Sequence, residues 1–244
     1  IINGAECEPY ITSDYRCFME EGEDVLEGVL LMLKYLGIPK CVIGIEKNKP
    51  KAIEKMTRLC EKHDNITVKP LKSSYPQGAE KTLIFSTTGR VVKEGTLPLA
   101  SGCIVVNSST AAFIAQYIRT GMPLVKRRIT VDGNIVKKPS NFIVPVGMSI
   151  GEIVYYAELS DKPDRIILGG PMMGACAFDP DYPLSKTNNA VLMFADSPVY
   201  EPSECIRCGK CVKACSMNLL PTELEHASVS YTHLRAHETA ANLV

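Results

Sequence analysis

The chain has 244 residues, room for two modest domains or one large one, and 45% of them are hydrophobic, enough for a buried core. Lys plus Arg and Asp plus Glu number 27 each and Trp is absent, which argues against bulk electrostatic binding to nucleic acid and against a base-stacking surface. No apolar run approaches the roughly 18 residues of a membrane span, and no signal peptide is visible.

Strand and helix signals alternate from the start. Ile1-Ile2-Asn3 is a short apolar strand that breaks at Gly4. Residues 24–36 carry helical spacing and stop at Gly37, with Pro39 beyond. Residues 41–45 read as a buried strand, 50–62 as a helix with Pro near its start, and 66–68 as another strand. A helix over 78–85, a strand over 104–106 and a helix through Arg119 follow. This rhythm predicts an α/β layer with a largely parallel sheet over 1–121.

The pattern changes at Gly121-Met122-Pro123. Residues 128–131 and 134–136 flank Asp132-Gly133, a short-hairpin signal. A strand over 141–146, a helix over 149–156 capped by Ser149 and a strand over 165–168 predict a small α+β module over 122–175. A linker rich in Pro, Asp and Asn is expected over 176–197, and a truncated ferredoxin-type segment over 198–227. Residues 228–244 lack apolar periodicity. Ser230 to Thr239 resembles translated adaptor sequence, so this tail is read as non-native rather than as a metal site at His233 and His237. The chain also begins without Met, and its native N-terminus is expected upstream.

Ten cysteines are present. Six stand singly among apolar residues and read as small buried hydrophobes, with Cys7 set apart by its acidic neighbours. The other four, Cys205, Cys208, Cys211 and Cys215, follow the bacterial ferredoxin spacing for a [4Fe–4S] cluster. Three thiolates at two-residue gaps let a short loop wrap a cubane, with Gly209 allowing the tight turn. A structural zinc site pairs two CxxC motifs across a longer loop, which three consecutive short steps fit poorly. Arg207, Lys210 and Lys213 would ease reduction of an anionic cluster, or simply form a solvated basic face. Ser216 stands where ferredoxins usually carry Pro. In two-cluster ferredoxins the fourth Cys serves the other cluster, so Cys215 is expected to pair with a second motif beyond this segment.

Three further segments are candidate ligand sites. Asn3 to Tyr10 follows a strand end, where α/β sheets place ligands, and its Glu6 and Glu8 precede Pro9 in an acidic turn. Tyr75 to Lys81 holds Gly78, suited to close backbone approach, before a helix start. Asn107-Ser108-Ser109-Thr110 is a strand-to-helix junction suited to an anion, or simply an N-cap.

With the cysteine cluster, the strings NGAECEPYITSDYR (3–16), YPQGAEK (75–81), GGPMMG (169–174) and CIRCGKCVKACSMNLLP (205–221) resemble the C subunit of the Rnf-type electron transport complex, itself similar to the flavin- and NADH-binding subunit of respiratory complex I. The resemblance implies an FMN and NAD(H) site on the α/β domain, a β-grasp soluble-ligand-binding module, and a ferredoxin-like domain with two 4Fe–4S clusters in the full-length protein. It implies that Asn3, Glu6, Glu8, Tyr75, Gly78 and Glu80 line the flavin and nicotinamide pocket. Asn107 and Thr110 would approach the ribityl phosphate. Ala5 stands where complex I has an acidic residue, and the family's glycine-rich flavin loop is expected upstream of Ile1. The implied activity is an ion-translocating ferredoxin:NAD+ oxidoreductase, with ferredoxin and other subunits as partners, peripheral on the cytoplasmic side of the membrane. A soluble relative, such as a cobalamin reductase or electron carrier, and a non-catalytic iron–sulfur binding module are the alternatives.

Overall fold

The computed structural model describes residues 1–179, 181–196, 200–201, 203–215 and 219–230. The chain forms two compact units, Ile1–Ser197 and Pro198–Val244. Ser216, His233 and His237 lie outside the described residues.

The first unit holds two sheets. Strands β1 (Ile2–Gly4), β2 (Cys41–Glu46), β3 (Ile66–Leu71) and β4 (Val106–Asn107) form a parallel sheet in the order β3-β2-β1-β4. Helices α1 (Ser13–Tyr35) and α2 (Pro50–Cys60) connect β1 to β2 and β2 to β3, while α3 (Glu80–Thr88) precedes β4 and α4 (Ser108–Thr120) follows it. The apolar side chains of β2 alternate by the two-residue strand period. Ile43 and Ile45 pack with Phe18, Val25, Val29 and Met56 of α1 and α2 and with Ala111 and Ala112 of α4. Gly44 faces Leu83 and Thr87 of α3 on the other side. Both faces are therefore covered, as a parallel sheet requires. A Cβ on Gly28 would overlap the Ala111 carbonyl, so this glycine sets how closely α1 and α4 pack.

Helix α1 begins at Ser13, well before the periodicity at residue 24 suggests. Its first half sets the buried Cys17 and Phe18 among charged residues and contains Gly22, and its backbone leaves helical geometry at Glu21, with φ −122° and ψ 24°. That break splits the amphipathic signal. Arg128 fixes the kink from outside, reaching Glu20 at 2.5 Å and Glu21 at 2.6 Å.

The second sheet contains β5 (Lys126–Asp132), β6 (Ser140–Pro145), β7 (Arg165–Leu168), β8 (Ala175–Ala177) and β9 (Ala190–Phe194), in the order β6-β5-β9-β7-β8. Helix α5 (Ile150–Ala157) covers one face with Ile150 and Ile153 against Ile129, Val131, Val191 and Met193. A capping box between Ser149 and Glu152 starts α5. The structure departs from expectation twice here. Residues 133–139 make a long connection rather than a two-residue turn. Asp132 accepts the Gly133 amide at 2.7 Å, and the Asn134 side chain bonds both backbone groups of Ala195, at 2.7 and 3.0 Å. These bonds tie the chain to β9 instead of turning it back. The stretch expected as linker, 176–197, carries the end of β8 and all of β9. Leu192 and Ala190 pack against Ile11, while Val191 and Met193 face α5, so β9 is buried on both sides.

In the second unit, α6 (Lys210–Ala214) and α7 (Pro221–Ser230) are short helices. Residues 228–230, expected to begin a foreign tail, complete the last turn of α7.

Candidate functional site

The order β3-β2-β1-β4 places the reversal of winding between β1 and β4, and the loop leaving β1 sits at that edge. Internal bonds hold this loop. Asn3 donates through Nδ2 to the Gly78 carbonyl at 2.9 Å and accepts the Ala5 amide at 3.0 Å. The Gly78 amide reaches Cys7 Sγ at 3.4 Å, and a Cβ on Gly78 would lie 2.5 Å from the Ala5 carbonyl oxygen. Gly78 thus permits backbone to meet backbone.

Glu6 is buried and acts as the cap of α1. Its carboxylate accepts the Asp14 amide at 2.8 Å, the Tyr15 amide at 3.3 Å and the Ser13 hydroxyl at 3.3 Å. Thr12, the residue at the cap position, supplies no side-chain bond to the helix. It accepts from Asn141 Nδ2 at 2.8 Å and donates its amide to Thr130 Oγ1 at 3.0 Å, fastening the loop to the second sheet. Glu8 makes a further link, accepting the Met172 amide at 2.9 Å. Gly170 leaves the room that Glu8 occupies, since a Cβ there would overlap the carboxylate. The GGPMMG string is therefore the seat of an acid from the first sheet.

A cavity of about 400 Å³ opens between these parts. It is lined by Glu6 to Thr12, by Glu46, Asn48 and Lys49 after β2, by Ser73, Ser74 and Tyr75 after β3, and by Asp132 at the end of β5. An adjoining recess of about 350 Å³ shares Thr12, Asn48 and Lys49 and adds Tyr15 and Lys51. Burial, and then the charge of Asp14, raises the Glu6 pKa to about 7. Burial also raises Asp14 and Glu46, although Lys49 and a Glu6 backbone hydrogen bond pull Glu46 the other way. The Cys7 thiol and the Tyr75 hydroxyl are likewise pushed up, first by burial. This edge can accept hydrogen bonds and hold a proton near neutral pH.

Of the residues singled out by sequence, Glu6, Glu8 and Tyr75 line the cavity together. Asn3 and Gly78 brace its loop from behind. Glu80 is exposed at the start of α3, outside the lining. Asn107 caps α4, accepting from the Ser109 amide at 3.0 Å, and donates to Asp14 at 3.1 Å. The neighbouring Ser108 hydroxyl also donates to Asp14, at 3.1 Å, so the start of α4 already faces an internal carboxylate. Thr110 is exposed in the first turn. Sequence reasoning passed over Glu46, Lys49 and Asp132. The available signal was a Glu closing an apolar strand at the ligand-binding edge.

The four clustered cysteines belong to the second unit. Cys205, Cys208 and Cys211 are exposed and Cys215 is intermediate, and none is in a disulfide. Arg207 and Gly209 adopt positive φ, 54° and 69°, and the Arg207 amide lies 3.4 Å from Cys205 Sγ. Cys211 sits in α6, and Cys215 caps that helix's end. Among the described residues no three His, Cys, Asp or Glu side chains converge as a metal-holding group. The donor chemistry nonetheless fits iron–sulfur ligation: four accessible thiols on a segment turned by two left-handed residues. In the first unit, a buried Glu46 Oε2 without a partner gives the cavity a matching polar feature for an organic cofactor.

Comparison with known proteins bears on these sites. Residues 1–116 match the family model described as the Nuo51 FMN-binding domain. The chain is 41% identical over 227 residues to the C subunit of the proton-translocating ferredoxin:NAD(+) oxidoreductase complex of Clostridium ljungdahlii, covering 92% of this chain and 50% of that protein. It belongs to the family of these C subunits. The corresponding C subunit of the Na(+)-translocating complex of Acetobacterium woodii is 38% identical over 231 residues, covering 93% of this chain and 52% of that one. The chain thus spans about half the length of these relatives. An NAD+-reducing [NiFe]-hydrogenase structure shares the fold, with a TM-score of 0.66 at 18% identity over 79% of this chain and 39% of that one. No helix among the described residues is long and apolar enough to cross a membrane.

Proposed function

We propose that this chain is the cofactor-binding part of an ion-translocating ferredoxin:NAD+ oxidoreductase, passing electrons between NAD(H), FMN and 4Fe–4S centres. The observation that carries the reading is the acid-lined cavity at the carboxyl edge of a parallel sheet, whose lining, Asp132 apart, lies inside the stretch that matches an FMN-binding domain. FMN, when bound, converts two-electron hydride chemistry into single-electron steps; the protein supplies position and electrostatics. Glu6, Glu8, Glu46 and Tyr75 would orient the nucleotides, and the second sheet would shield them from water through Asp132 and the loop that Glu8 holds. Cys205, Cys208 and Cys211 would hold one cluster. Cys215 would close the same cluster or serve a second. Electrons can run in either direction. Ferredoxin and the remaining subunits are the partners, and the site of action is the cytoplasmic side of the membrane, attached peripherally.

The test is anaerobic reconstitution of the full chain with iron, sulfide and FMN. Bound flavin, iron–sulfur EPR signals after reduction and NADH-dependent reduction of an artificial one-electron acceptor are the expected results. Absence of flavin and nicotinamide binding would overturn the reading. Tight zinc in place of iron would favour a binding module.

A further inference from the structure

Glu46 closes β2 at the cavity. It is 2% exposed, and its Oε2 is a buried oxygen without a hydrogen-bond partner. Its backbone is fixed, because the Lys49 amide donates to the Glu46 carbonyl at 3.0 Å and the next amide, Lys47, donates to Leu71 at 2.9 Å. The carboxylate receives the Glu6 backbone amide, and Lys49 is the nearby opposite charge. No described residue satisfies Oε2, and a buried acceptor left empty is costly. A hydroxyl held in the cavity would supply the missing donor.

The wall selects the kind of donor. Glu6, Glu8, Glu46 and Asp132 face the space against Lys49, so a phosphate is repelled there. A neutral hydroxyl is not. On the reading that this cavity takes nucleotide cofactors, we infer that Glu46 accepts a sugar hydroxyl of the bound nucleotide. That hydroxyl belongs either to the ribityl chain of a flavin or to the ribose of a nicotinamide nucleotide. In open α/β sheets an acid following the first winding of the chain receives ribose in just this manner, and Glu46 ends the strand next to β1.

Two ligand pairs separate the sources in equilibrium binding to the full chain: riboflavin against lumiflavin, and reduced nicotinamide mononucleotide against N-benzyl-dihydronicotinamide. The second member of each pair lacks the sugar. The wild-type chain is expected to bind the sugar-bearing member of one pair about tenfold or more tightly. Glu46→Met and Glu46→Ala, which both remove the oxygen acceptor, should erase that preference and leave the sugarless ligand unchanged. The pair that responds identifies the sugar. Equal binding of both members by the wild-type chain overturns the inference without any variant, and so does a preference that survives both substitutions. If none of the four ligands binds, the proposed function fails and this inference falls with it.

Discussion

Glu6 offers a sharp test, because one carboxylate both caps α1 and floors the cavity. Its pKa rises from the ordinary 4.5 to about 7, chiefly through burial and secondarily through Asp14. Each pH unit of altered proton affinity is worth about 1.4 kcal/mol, so the rise amounts to about 3 kcal/mol. The folded chain binds this proton more tightly than the unfolded chain. The group's contribution to stability is therefore fully present below pH 4.5 and is lost as the pH rises towards and through 7. About 2.5 kcal/mol of the loss falls between pH 5 and 8. Glu6→Gln keeps the shape and one acceptor for the Asp14 amide but does not titrate. The assay is urea unfolding of both proteins at half-unit steps from pH 5 to 8, read as the difference between them. Wild type should lose about 2.5 kcal/mol relative to the variant across that range. Two curves that run parallel would refute the burial of an ionisable cap.

Other substitutions probe the packing and the cluster. Gly28→Ala should cost about 1–3 kcal/mol in unfolding experiments, since its methyl group meets the Ala111 carbonyl and forces α1 from α4. Arg128→Ala should cost about 2–3 kcal/mol. Its side chain is only 10% exposed and pairs with two glutamates, but the 38% exposure of Glu20 keeps the loss below that of a fully buried pair. Ser149→Ala removes the capping box of α5 and should lower stability by about 1 kcal/mol. Cys208→Ala should abolish the iron–sulfur EPR signal after reconstitution while leaving riboflavin binding intact; retained signal would exclude Cys208 as a ligand.

Much of the fold was legible because local chemistry and tertiary structure agreed. Residues 41–45, 50–62 and 165–168 each carried one unambiguous period between clear stops, and the strands and helices fall there. Ser149 announced α5 as its N-cap, and the structure adds the capping box with Glu152. The first half of α1 was illegible because its cap is not adjacent: Glu6 serves the helix from across a loop, and the kink at Glu21 interrupts the apolar stripe. The Asp132-Gly133 signal misled because Asn134 spends its side chain on Ala195, a partner no local window contains. The acidic turn was readable as a ligand edge from Glu6 and Glu8. Glu46 was not, since its significance depends on β2 lying beside β1. Asn107 shows the reverse case, a residue whose cap geometry was visible but whose tie to Asp14 was not.

The placement of β9 has a consequence for how the polypeptide matures. The hairpin β5–β6, helix α5 and strand β7 all precede it, yet none of them can pair across the centre of their sheet until Ala190–Phe194 arrives. During synthesis the apolar faces of Ile129, Val131 and Ile150 must wait, exposed, for a strand made some 60 residues after β5. A chain ending near residue 175 would not be a tidy module lacking a tether. It would be a split sheet with two raw central edges, ready to pair with its neighbours.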